Sequence, residues 1–106
     1  MYKLLNKVNG PEDIKKMSIT ELTDLAGEIR EALFNRLTKV GGHFGPNFGI
    51  VETEIAMHYV FNSPVDKFVF DVSHQSYTHK ILTGRKNGYI DDDCFREDSG
   101  YTNPSE

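Results

Sequence analysis

The sequence has no tryptophan and a single cysteine, Cys94. One thiol can form neither an intramolecular disulfide nor a multi-cysteine zinc site, and a cytoplasmic location follows as the default. No apolar run approaches the roughly 20 residues that span a bilayer, which excludes a transmembrane helix and leaves no membrane partner. The opening stretch, MYKLLNKVNG, lacks the long apolar core and small-residue cleavage site of a secretory signal. A basic excess is missing as well. The formal net charge is −4, and residues 1–85 hold ten acidic and ten basic side chains, which cancel. A neutral body without a Lys/Arg cluster argues against nucleic acid as a partner. At 106 residues there is room for one modest core, not for two cofactor-binding domains with a cleft between them.

The charge imbalance lies wholly in the last 21 residues, where Asp91, Asp92, Asp93, Glu97, Asp98 and Glu106 face Lys86 and Arg96. The Asp91–Asp93 run is dense in oxygen ligands. It lacks the alternate spacing and mid-loop glycine of a calcium loop, so residues 86–106 are expected to be a solvated, poorly ordered acidic stub. Cys94 sits among these acids, which raise a thiol pKa and make it a poor nucleophile.

The first 85 residues are patterned. Asn9-Gly10-Pro11-Glu12-Asp13 predicts a turn entering a short helix anchored by Ile14 and Met17. Ser18-Ile19-Thr20-Glu21 is a capping box. Leu22, Leu25, Ala26, Ile29, Ala32, Leu33, Leu37 and Val40 then mark one face of a long helix that Gly41-Gly42 ends. Four glycines and a proline within residues 41–49 predict a loop. A second helix is expected from about Ile50 to Phe61, with Glu52 and Glu54 as first-turn acids suited to the helix dipole. Lys67-Phe68-Val69-Phe70-Asp71-Val72 is short, β-branched and aromatic, and its consecutive apolar side chains predict a strand covered on both faces, as in a parallel α/β sheet. Tyr77 to Thr83 forms a short helix ended by Gly84, and beyond Arg85 the pattern fades.

Four histidines carry the candidate chemistry. His43 lies in the glycine-rich segment, where backbone can approach a ligand closely. His74 follows the expected strand's carboxyl end, where open α/β sheets place their ligands. His58 is expected to pack its ring between helices, and His79 to support the short helix after the strand. A zinc site from His74 and His79 lacks the paired ligand clusters that such sites need. No nucleophile elbow and no phosphate loop ending in Gly-Lys-Ser/Thr occurs.

Two long motifs, Gly41-Gly42-His43-Phe44-Gly45-Pro46-Asn47-Phe48-Gly49-Ile50-Val51-Glu52 with His58-Tyr59-Val60-Phe61, and Asp71-Val72-Ser73-His74-Gln75-Ser76-Tyr77-Thr78-His79-Lys80-Ile81-Leu82-Thr83-Gly84-Arg85, resemble the amino-terminal region of the 1-deoxy-D-xylulose-5-phosphate synthases. These are thiamine-diphosphate enzymes related to transketolase. The resemblance implies an α/β fold class: part of a thiamine-diphosphate-binding, transketolase-like domain, mostly helical, with one clear parallel-type strand. Residues 1–85 would be the amino-terminal part of that domain and residues 86–106 the stub of its continuation.

It also implies condensation of pyruvate with glyceraldehyde 3-phosphate and loss of CO2, feeding isoprenoid, thiamine and pyridoxal synthesis. By the same resemblance His74 contacts thiamine diphosphate, His43 is catalytic and lies near the substrate, and Asn47 joins His43 in binding substrate. Departures are Ser73, where family members commonly carry glycine, and Thr78, where they commonly carry proline. The metal of such enzymes, Mg2+, is held through a Gly-Asp-Gly segment that does not occur here. The chain is therefore expected to be inactive alone and to work with the remainder of the synthase or a homodimer partner. The alternative is a short paralogue that binds or regulates the full-length enzyme.

Overall fold

Ser18 starts the longest element. In the computed structural model, which describes residues 2–42, 44–63, 65–70 and 75–91 and leaves the Phe44 side chain undescribed, the Ser18 hydroxyl accepts the Glu21 amide at 3.2 Å. The Glu21 carboxylate accepts the Ser18 amide at 3.0 Å in return. This capping box satisfies two helix-terminal donors. The helix it starts, α2 (Ile19–Val40), follows a short α1 (Pro11–Ile14). It ends at Gly41, whose amide still donates to the Leu37 carbonyl at 3.0 Å and whose φ of 81° then turns the chain out of the helix.

The expected apolar face of α2 is largely the buried one. Leu25, Ala26, Ile29, Ala32, Leu33 and Leu37 are buried, while Leu22 packs at the margin. Glu28 also serves this face. Its carboxylate accepts the amides of Leu4 and Leu5, at 3.1 and 2.9 Å, and so pins a 3-10 turn (Leu5–Lys7) to α2.

The glycine-rich segment is not a loop throughout. Phe44–Gly49 forms α3. Pro46 is tolerated there because the first turn of a helix has no carbonyl partners for its amides. Helix α4 (Val51–Val60) follows, with Val51, Glu54, Ile55 and His58 on its buried stripe. Its carboxyl end is capped by a side chain from α1's exit: the Lys15 ammonium donates to the carbonyls of His58 at 2.5 Å, Tyr59 at 3.0 Å and Phe61 at 2.6 Å. Arg30 of α2 pairs with Glu52 and donates to the Phe48 carbonyl at 3.1 Å, joining α2 to the α3–α4 junction.

The expected α/β class, with its parallel-type strand, does not form: the described residues contain helices and no strand. Lys67–Phe70 takes no regular secondary structure; Asp71 and Val72 lie outside the described residues. A ladder needs a neighbour to take its backbone groups, and this segment has none among the described residues. It is held by its side chains instead. Phe68 sits edge-on to the His58 ring, with centroids 4.6 Å apart, while Val69 is 95% exposed. The segment is thus half-covered by helices rather than covered on both faces by a sheet.

Helix α5 (Tyr77–Lys80) runs into a π-type turn (Ile81–Arg85), broken at Gly84 with φ 96°. A last turn, α6 (Asn87–Ile90), buries Tyr89 completely. The Lys86 ammonium closes the structure on itself, donating to the carbonyls of Leu5 at 3.3 Å and Asn6 at 2.6 Å and to Asn9 Oδ1 at 3.2 Å.

Candidate functional site

His43 and His74 both lie outside the described residues, as do Ser73 and Cys94. Gly42 and the chain from Gln75 onward are described, and Gly42 and Asn47 both meet Tyr77. Asn47 of α3 is fully buried, and its side-chain oxygen accepts the Tyr77 amide at 3.0 Å. Gly42, immediately before His43, has φ 142°, and a Cβ there would lie 2.8 Å from the Tyr77 hydroxyl oxygen and would strike Leu37 as well. Only glycine leaves the ring that room. Gly42 and α3 are therefore both packed against Tyr77.

Tyr77 is itself held in place. Its ring and that of Tyr89 lie 5.6 Å apart, and the buried Arg36 guanidinium sits 5.5 Å from the first and 4.4 Å from the second. A cation over aromatic faces is attractive, and more so away from water. Arg36 sits on the helical stripe between Leu33 and Leu37; its position was visible in the periodicity, but its charge hid its role.

A second polar cluster lies between α4 and α5. His58 Nε2 and His79 Nδ1 are 2.9 Å apart with rings stacked at 5.0 Å between centroids, and Phe68 and Phe70 border the pair. His58 does pack between helices, as expected. Burial pushes its pKa down to about 4, aided by the neighbouring His79 and Lys15. One neutral imidazole then donates to the other.

Glu54 stands four residues before His58, on the same stripe of α4. The sequence makes it a first-turn acid, but its side chain is fully buried rather than solvated. Its carboxyl faces the His79 amide and the Thr78 hydroxyl without completing a hydrogen bond to either. Burial dominates, and its pKa is pushed up to about 9. Thr78 Oγ1, Ser76 Oγ and His58 Nδ1 are also buried without partners. The 54/58 spacing among Val51 and Ile55 was the available signal that both polar side chains turn inward. No group of three His, Cys, Asp or Glu side chains suited to a metal occurs among the described residues. No helix among them is long and apolar enough to cross a membrane.

Comparison with known proteins covers almost the whole chain. The family model described as 1-deoxy-D-xylulose-5-phosphate synthase matches residues 5–106. The protein of that name from Methylacidiphilum infernorum is 56% identical over 89 residues, which is 84% of this chain and 14% of the relative. Its counterpart from Chlamydia pneumoniae is 53% identical over 106 residues, 97% of this chain and 16% of the relative. That from Pelotomaculum thermopropionicum is 45% identical over 106 residues, 100% of this chain and 17% of the relative. The chain thus spans about a sixth of the length of the curated relatives it matches.

Proposed function

The chain belongs to the 1-deoxy-D-xylulose-5-phosphate synthase family, matching its amino-terminal region, and from that membership we propose that it supplies the amino-terminal portion of a cytoplasmic synthase. The reaction joins pyruvate to glyceraldehyde 3-phosphate with loss of CO2. The observation that supports this reading most is the convergence on Tyr77: the motif carrying His43 and the motif carrying His74 share one packed residue. Two distant sequence motifs with a common anchor are what a composite ligand site needs.

In this reading His74 donates an N–H to a diphosphate oxygen, and a protonated ring adds charge attraction. His43 faces the substrate and holds or moves a proton there. Asn47 is committed to the Tyr77 amide, and its part is indirect. Bound thiamine diphosphate, with Mg2+, supplies the carbanion chemistry. In this reading the ion is held through the Gly-Asp-Gly segment that the resemblance implies and that residues 1–106 do not contain. Exposed apolar side chains from Val60, Phe61, Val65 and Val69 support their coverage by the remainder of the synthase.

The test is a chimaera in which residues 1–106 replace the matching region of the Chlamydia pneumoniae protein. The chimaera is expected to form deoxyxylulose phosphate from pyruvate and glyceraldehyde 3-phosphate, with His74→Ala lowering kcat/KM by about 100-fold. The 106-residue chain alone is expected to form none. A folded but inactive chimaera beside an active parent counts against the proposal.

A further inference from the structure

We propose that Glu54, Thr78 and the His79 amide hold an ordered water molecule between α4 and α5, an internal hydration site that ties the two helices together. The Glu54 side chain is fully buried on α4, and neither carboxyl oxygen has a hydrogen-bond partner. The Thr78 hydroxyl on α5 is equally buried and equally without a partner. The two groups nevertheless face one another, and the His79 amide is turned toward the same carboxyl. Buried polar side chains are rarely left unsatisfied, and facing polar groups that do not bond directly are the arrangement a bridging water suits.

The lining selects a neutral molecule that both donates and accepts. Burial pushes the Glu54 carboxyl up to about 9, so at pH 7 it is uncharged and holds no counter-ion. An amide N–H has no lone pair to offer a cation, and a carboxyl that loses its proton repels an anion. Water meets every demand. One of its O–H groups donates to a Glu54 oxygen, while its own oxygen accepts from the His79 amide and the Thr78 hydroxyl. About three such bonds are usual for a buried water.

Two more unpartnered buried atoms lie on the same two elements: Ser76 Oγ at the start of α5, and His58 Nδ1 one turn beyond Glu54 on α4. They add to the polar character of this contact. The helices meet directly at the His58–His79 pair, 2.9 Å between ring nitrogens. One turn earlier on α4, at Glu54, water makes the contact.

Water-selective nuclear Overhauser spectra of the 106-residue chain test this. A water that stays longer than the tumbling time gives cross peaks to the His79 amide and the Thr78 methyl, with the sign of intramolecular contacts. Both are expected in the parent chain and in Glu54→Gln, which keeps an oxygen and cannot relay the signal through a carboxyl proton. Both should be lost in Glu54→Leu, which keeps the bulk and removes the oxygens. In Thr78→Val the His79 peak should remain; its loss there reduces the signal to hydroxyl exchange and overturns the proposal. Absence of both peaks in the parent chain, which leaves Glu54 bonded directly to Thr78, overturns it too, as does their survival in Glu54→Leu. If Glu54→Leu does not fold, the parent chain and Thr78→Val decide.

Discussion

Glu54 and His58 are buried on the same helix stripe and pull stability in opposite directions with pH. The Glu54 carboxyl titrates at about 9 when folded, against an ordinary value of 4.5. Its contribution is therefore whole below pH 4.5 and is lost as pH rises through 9. His58 titrates at about 4 when folded, against 6.5. Its contribution is whole above pH 6.5 and is lost as pH falls through 4. Between pH 4.5 and 6.5 the two slopes, each about 1.4 kcal/mol per pH unit, cancel. Above 6.5 only the glutamate slope remains, so these groups predict a loss of about 2 kcal/mol between pH 6.5 and 8. Glu54→Gln, which cannot ionise, should flatten that alkaline decline. Urea titrations of both proteins across pH 5 to 9 would show it, and an equal decline in the two would refute the argument.

At the scale of elements, what was legible in the sequence was what is local. The Ser18 cap, the α2 face and the Gly41 stop follow from spacing within a few residues, because their partners lie one turn away. Closures made by distant residues were not legible. Lys15 looks like an ordinary surface lysine, yet it caps α4 through three carbonyls some 43 to 46 residues away. Glu28 looks like polar-face decoration, yet it holds the 3-10 turn. Lys15→Met should therefore act on a helix that it does not belong to. Loss of charged donors from a helix end costs about 1–2 kcal/mol, and amide exchange should quicken over residues 57–61 while α2 stays protected. Uniform quickening through α2 as well would mean that Lys15 supports the whole core rather than one helix end. The candidate site divides the same way: its motifs were readable, but their meeting on Tyr77 is a tertiary fact carried by Gly42 and Asn47.

Over the whole molecule, the strand expected over Lys67–Val72 fails across its described part, Lys67–Phe70, for a definite cause. Apolar side chains in succession do suit a strand buried on both faces, but composition cannot say what lies on each side. In this structure the helices cover one side alone: Phe68 and Phe70 turn toward the His58–His79 pair, and Val69 turns to solvent at 95% exposure. The two arrangements predict different mutational responses. A segment covered on both faces loses stability wherever it is truncated or charged. A segment held on one side loses it only at alternate positions. Val69→Lys should change stability by less than about 0.5 kcal/mol, whereas Phe68→Ala, which strips a half-buried ring from His58, should cost roughly 1–3 kcal/mol. Midpoints of urea unfolding at pH 6 for the two variants give the answer, and a Val69→Lys penalty as large as that of Phe68→Ala would restore a cover over the outer face that the helical arrangement does not contain.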